Sequence, residues 1–207
     1  MRYRLVLWDF DGTLADTWSS GEQIFNEIAA RRYFVPITDA EADRRLTTLE
    51  FLRAHRVPLL QLPLVIREWH AALRARMEGV LLFPGVRDAL TTLRQQGSTL
   101  GILSSNNHDN IARCLRRHEA YTLFESIHSS SRLFGKARGI RRVLTSQALG
   151  KREVLYIGDE TRDLDAARAA GVDSAAVGWG LNPLDVLSRA SPTYLIDQAA
   201  QIPLLND

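Results

Sequence analysis

Cysteine is nearly absent. Cys114 is the only one in 207 residues, so the chain can form no internal disulfide and no cysteine-rich zinc site. Long apolar runs are missing as well; none approaches the roughly 20 residues that a membrane-crossing helix requires. No block of five Lys or Arg occurs, and the formal charge is only +2. Neither nucleic acid nor a membrane is therefore an expected partner. The opening MRYRLVLW runs straight into a strand pattern and lacks the apolar stretch and cleavage site of a signal peptide, so the expected location is cytoplasmic. The five histidines have spacings that match no zinc motif. Repeats and low-complexity tracts are also lacking.

What is present is an ordinary globular composition, 45% hydrophobic and 24% charged, with enough chain for one sizeable core and an insertion. Four short apolar runs without polar alternation read as buried parallel strands: RLVLW (4–8), TLGILS (99–104), EVLYIG (153–158) and SAAVGW (174–179). Weaker strand signals lie at 125–130 and 193–196. Helical patterns at 85–97, 108–118, 136–149, 162–170 and 183–190 separate them. This alternation predicts an α/β fold, an open parallel sheet with helices on both faces. Residues 18–82 break the rhythm, with helical periodicity and no convincing strand. They read as a small all-α cap inserted after the first strand, leaving 1–17 and 83–207 as the core domain. Within the cap, Thr38 followed by Glu41 reads as a capping box.

Ligands of open α/β sheets bind beyond the carboxyl ends of the strands. Four stations follow strands there: Asp9 and Asp11 in DFDGTLADT; Ser104, Ser105 and Asn106 in LGILSSN; Lys136; and Asp159 and Asp163 in GDETRD. Together they suit phosphoryl transfer. A phosphate ester repels an anionic nucleophile. A divalent cation held by carboxylates cancels that repulsion, and a lysine, a hydroxyl and backbone N–H groups stabilise the phosphoryl oxygens. A carboxylate can also be the nucleophile, forming an aspartyl phosphate that water later cleaves. A second protonates the leaving alcohol and then deprotonates water; for that it starts protonated, with its pKa raised by its surroundings.

These four stretches, in this order, resemble the four motifs of the haloacid dehalogenase superfamily. DxDGTL followed by a helical insertion is similar to its phosphoglycolate-phosphatase-like branch. The resemblance implies a Rossmann-like core. It implies Asp9 as nucleophile and metal ligand, and Asp11 as general acid/base with its backbone carbonyl on Mg²⁺. It implies Ser105 and the Asn106 backbone at the phosphoryl group, Lys136 steadying its charge, and Asp159 as a metal ligand. Asp163 would hold a metal-bound water or Lys136. Gly12 and Thr13 would form the phosphate-side turn that flexes as the cap moves. The expected activity is Mg²⁺-dependent hydrolysis of a small phosphate monoester by a monomer or homodimer. A phosphomutase similar to β-phosphoglucomutase keeps the chemistry but hands the phosphoryl group to a sugar hydroxyl. A phosphate-binding or signalling module of the response-regulator kind combines similar groups, but its lysine and hydroxyl stations do not fit this arrangement and it carries no helical insertion after the first strand. A degenerate family member used only for binding would be marked by loss of Asp9 or Asp11, and both are present.

The remaining candidates are weaker. Ser105 and Asn106 also suit capping of the next helix, with Ser104 adjacent in register. His108 and Trp18 are candidates to line the mouth. Arg44, Arg45 and Arg53 in the cap either grip a second anionic group of the substrate or form a solvated face. His55, His70, His118 and His128 are expected at surface or boundary positions. Trp8 is expected within the sheet and Cys114 on a buried or half-buried helix face.

Overall fold

The computed structural model describes residues 1–129 and 135–206. Its sheet has six parallel strands: β1 (Leu5–Trp8), β2 (Thr99–Ser104), β3 (Ser126–Ser129), β4 (Val154–Gly158), β5 (Asp173–Val177) and β6 (Tyr194–Ile196). Their spatial order is β3-β2-β1-β4-β5-β6. The order reverses at β1, which pairs with β2 on one side and β4 on the other. Such a reversal leaves a crevice at the carboxyl ends of the central strands.

β1 shows why the strands read as unbroken apolar runs. Successive side chains point to opposite faces, and both faces are covered. Val6 and Trp8 pack with Leu90, Leu100 and Ile111, whereas Leu5 and Leu7 pack with Leu103, Ile140 and Tyr156. All four β1 residues are fully buried. Truncating one to alanine is expected to cost about 2–5 kcal/mol.

Between β1 and β2 the chain forms α1 (Gly21–Arg32), α2 (Ala40–Asp43), α3 (Thr48–Ala54), α4 (Leu62–Arg76) and α5 (Val86–Gln95). The outgoing and returning segments lie side by side: Asp16 N–H donates to Leu81 O at 2.8 Å and Phe83 N–H to Leu14 O at 3.0 Å. Then come α6 (His108–Arg117), α7 (Lys136–Ser146), α8 (Thr161–Ala170) and α9 (Leu184–Arg189). α5 and α6 cover one face of β1, while α7 and α8 cover the other. Cys114 is buried on α6. No helix of the described residues is long and apolar enough to cross a membrane.

Three local expectations change. α2 starts one residue later than the Thr38 signal implied, so Asp39 is its cap and accepts from Ala42 N–H. The capping box is instead at α3, where Thr47 and Glu50 satisfy each other's backbone N–H groups. β5 stops at Val177; Gly178 and Trp179 turn away, and the Trp179 indole N–H donates to Thr13 O at 3.0 Å. The last residue of the 125–130 expectation lies outside the described residues. His55 is not a surface residue. It is 4% exposed, packs against Phe25 and Phe51, and lies 3.1 Å from Asp43.

Candidate active site

Asp9 follows the last residue of β1, and its own N–H still bonds to Ile157 O of β4 at 2.8 Å. The sheet ladder thereby fixes where this carboxylate stands. Asp159 follows β4, the adjacent strand. Asp163 lies in the first turn of α8 and packs directly over Gly158, where a Cβ would fall 2.5 Å from its Cβ. Carboxylate oxygens of Asp9, Asp159 and Asp163 lie within 4.8 Å of one another, and each residue is at most 1% exposed. Three anions this close and this dry are unstable without positive charge.

Lys136 supplies part of it. This first residue of α7 is 6% exposed. Its ammonium donates to Asp9 Oδ2 at 2.5 Å and to Asp163 Oδ1. Burial alone would lower the lysine pKa, but Asp163 and Asp9 outweigh it and hold the group above its ordinary value. One ammonium does not balance three carboxylates. Burial, reinforced by Glu160, Asp163 and Asp9, pushes Asp159 well above the usual carboxylate range. Asp163 is raised to about 6, by burial against the opposing pull of Lys136. Hard oxygen donors on one side of a cleft fit a divalent cation, and the charge shortfall is what such an ion removes.

Asp11 sits across the turn. Gly12 has φ +71° and a Cβ there would fall 2.1 Å from Asp159 Oδ2, so the turn admits only glycine. Burial and then the charge of Asp9 raise Asp11 to about 6, against hydrogen bonds from Asn106 and Thr17. Asn106 Nδ2 donates to Asp11 Oδ1 at 2.9 Å. The Asn106 side chain thus orients Asp11, beyond the backbone role the motif implied. Thr13 is buried, and its hydroxyl donates to Asp159 Oδ1 at 2.7 Å; its side chain orients that carboxylate. Of the adjacent serines, Ser104 is buried and accepts from Asn106 N–H, while Ser105 lines the open cavity with Asp11, Gly12 and Asp159. Asn107, not Ser105, caps α6.

The sequence model of the haloacid dehalogenase-like hydrolases matches residues 6–177. The chain belongs to this family. It is 31% identical to a phosphoglycolate phosphatase of Synechococcus elongatus, over 95% of this chain and 94% of that one. It is 24% identical to the pyrophosphatase PpaX of Listeria monocytogenes, over 95% and 93%. A solved haloacid dehalogenase-like hydrolase from Streptococcus pneumoniae superposes with a TM-score of 0.81 over 99% of both chains, at 22% identity. That likeness shows the fold.

The candidate site of this hydrolase also includes residues that sequence reasoning missed. Gly180 packs on the site so closely that a Cβ would fall 2.2 Å from Asp159 Cβ and 2.3 Å from Gly12 O. Leu181 N–H donates to Asp159 Oδ2 at 2.7 Å. The rule that ligands gather beyond strand ends would have found both, had β5 been ended at Val177. Glu160 and Arg162, two of the three residues between the aspartates of GDETRD, pair with each other at the cavity wall. Thr48 of α3 donates to Glu160 at 3.4 Å.

Of the three candidate arginines in the inserted segment, Arg44 is neither a cavity residue nor a solvated face. Arg44 donates to Leu181 O at 2.9 Å and Gly180 O at 2.5 Å. Arg45 pairs with Asp185 at 2.7 Å, and Arg53 is exposed. Trp18 does line the cavity, as does His70, which the sequence placed at the surface or a boundary. His108 is not among the lining residues.

Proposed function

We propose that the hydrolase is a Mg²⁺-dependent phosphatase of a small phosphate monoester, with residues 18–82 acting as a cap domain over the core. The observation that carries this reading is the convergence of Lys136 with Asp9, Asp159 and Asp163 at the strand ends, beside a buried Asp11 that burial and Asp9 raise to about 6. The phosphatase names among relatives support it, the Synechococcus enzyme above all.

Asp9, Asp159 and the Asp11 backbone carbonyl would hold the ion, with Asp163 beside them. Mg²⁺ bound there supplies charge neutralisation for the phosphoryl oxygens. The chain's own groups do the rest. Asp9 attacks phosphorus, and the ester P–O bond breaks. Its electron pair leaves with the alkoxide, which takes the proton of Asp11. Ser105 and the N–H groups of the loop after β2 hold the phosphoryl oxygens, and Lys136, bonded to Asp9 Oδ2, keeps that carboxylate aimed. Asp11, now a carboxylate, takes a proton from water as that water attacks the aspartyl phosphate. Inorganic phosphate and the Asp9 carboxylate are released. The hinge is the pair of crossings near residues 15 and 82, whose closing excludes water from the first step.

The test is release of p-nitrophenol from p-nitrophenyl phosphate. Turnover is expected with Mg²⁺, none after chelation, and none from folded Asp9→Asn. Activity retained by Asp9→Asn would remove Asp9 from its role.

A further inference from the structure

The cavity above Asp11, Ser105 and Asp159 does not end at the carboxylates. The whole space from the carboxylates inward is about 220 Å³, and it continues between the inserted helices, where Phe25, Phe51, Leu52, Val65, Ile66 and Trp69 wall it. These come from α1, α3 and α4. A dry cavity of about 150 Å³ with such walls accommodates benzene, so this one has room for a ring or a short branched chain.

The charges on its walls are as informative. Asp43 lines it and faces His55 at 3.1 Å. Glu160 lines it and is engaged by Arg162 and Thr48. Among the described lining residues Arg162 is the only Lys or Arg, and its guanidinium makes two hydrogen bonds to Glu160. Arg44 and Arg45 hold Gly180, Leu181 and Asp185 and do not line the cavity. An anionic tail entering here would lose its hydration and meet Asp43 and Glu160, with no cation among the described lining residues beyond the Arg162 engaged by Glu160. An apolar tail would replace water against aromatic and aliphatic walls.

We propose that the substrate is the phosphate monoester of an uncharged, largely apolar alcohol of about single-ring size, and that anionic-tailed esters such as 2-phosphoglycolate are disfavoured. The proposal rests on the phosphatase reading and narrows it. It also separates this chain from the substrate in the name of its Synechococcus relative.

The experiment compares kcat/KM for benzyl phosphate, ethyl phosphate and 2-phosphoglycolate. All three are esters of alkyl alcohols, so the tail is the main variable. Benzyl phosphate is expected to exceed ethyl phosphate by about tenfold and 2-phosphoglycolate by about a hundredfold. Ile66→Trp, which fills the cavity, should bring the benzyl-to-ethyl ratio towards one. Calorimetry with Mg²⁺ and the non-hydrolysable benzylphosphonate and phosphonoacetate reads the cavity without turnover, and benzylphosphonate is expected to bind more tightly. Phosphate release that favours 2-phosphoglycolate, or phosphonoacetate binding as tightly as benzylphosphonate, overturns the apolar-tail proposal and leaves the phosphatase reading standing. Tighter benzylphosphonate binding with no ester hydrolysed overturns the phosphatase reading and upholds the cavity's preference.

Discussion

Gly180 offers the sharpest test of the site's construction, because it carries no functional group at all. In Gly180→Ala the added Cβ would lie 2.2 Å from Asp159 Cβ, 2.3 Å from Gly12 O and 2.4 Å from Asp159 Oδ2. Non-bonded carbons settle at about 3.5–4.0 Å, so the loop and the carboxylate must part by more than about 1 Å. The contact is with backbone on one side and with a buried carboxylate on the other, so no flexible chain end can swing aside. A displacement of about 1 Å at a reacting centre costs roughly a hundredfold in rate, or about 2.7 kcal/mol of barrier. The strain should cost a further 1–3 kcal/mol or so of stability. Initial rates of phosphate release at saturating Mg²⁺ and substrate measure the first effect, with circular dichroism to verify folding. The Mg²⁺ concentration for half-maximal rate should also rise, because Asp159 is the displaced group. A kcat within about threefold of wild type in a folded Gly180→Ala would refute the reasoning.

Lys136→Met should lower kcat by roughly 10²–10³ and destabilise the fold by about 3–5 kcal/mol, since it leaves Asp9 and Asp163 without their buried counter-charge; steady-state kinetics and urea unfolding measure the two. Asp11, raised to about 6, acts as an acid only while protonated. With poor leaving groups the rate should therefore fall as pH rises through and above that value, and less so with p-nitrophenyl phosphate, which needs no proton. Bound Mg²⁺ offsets the Asp9 contribution and moves the limb lower; equal pH profiles for the two ester types would contradict the assignment. Without metal, Asp163 is raised from 3.8 to about 6, a shift of roughly two units, or about 3 kcal/mol. An acid whose folded pKa is raised favours the fold below its unfolded value and loses that contribution as pH climbs through the folded one. The melting temperature in chelator should accordingly drop by several degrees between pH 4.5 and 7, with Mg²⁺ restoring it; a flat profile would contradict this.

The parts of this molecule that were legible in its sequence are those set by local rules. β1 and β4 are buried on both faces, so their apolar runs stand out, and the acidic clusters begin where those runs end. Asp9, Asp11, Lys136, Asp159 and Asp163 could therefore be assembled before any geometry was known, and the structure brings them together. Ser105 was chosen over Ser104 on the motif; Ser105 is half-buried and lines the cavity, whereas Ser104 is buried. What escaped was set by long-range packing. Gly180 looks like any loop glycine until β5 is seen to end at Val177 and the loop to fold back on Asp159. His55 reads as a surface or boundary residue because nothing local signals the Phe25, Phe51 and Asp43 that enclose it. Arg44 and Arg45 read as a solvated face or, less readily, as substrate anchors, because their partners, Gly180, Leu181 and Asp185, are over a hundred residues away. The apolar cavity is likewise a property of three helices together and of none alone.

The account depends most on Asp9 becoming phosphorylated. The direct measurement is to quench the protein in mid-turnover, reduce it with borohydride and map the product by mass spectrometry. An acyl phosphate at Asp9 is reduced to homoserine. Homoserine at position 9, formed only when phosphate ester and Mg²⁺ are both present, is the predicted result. Steady hydrolysis with no homoserine there, or with homoserine at another aspartate, would contradict it.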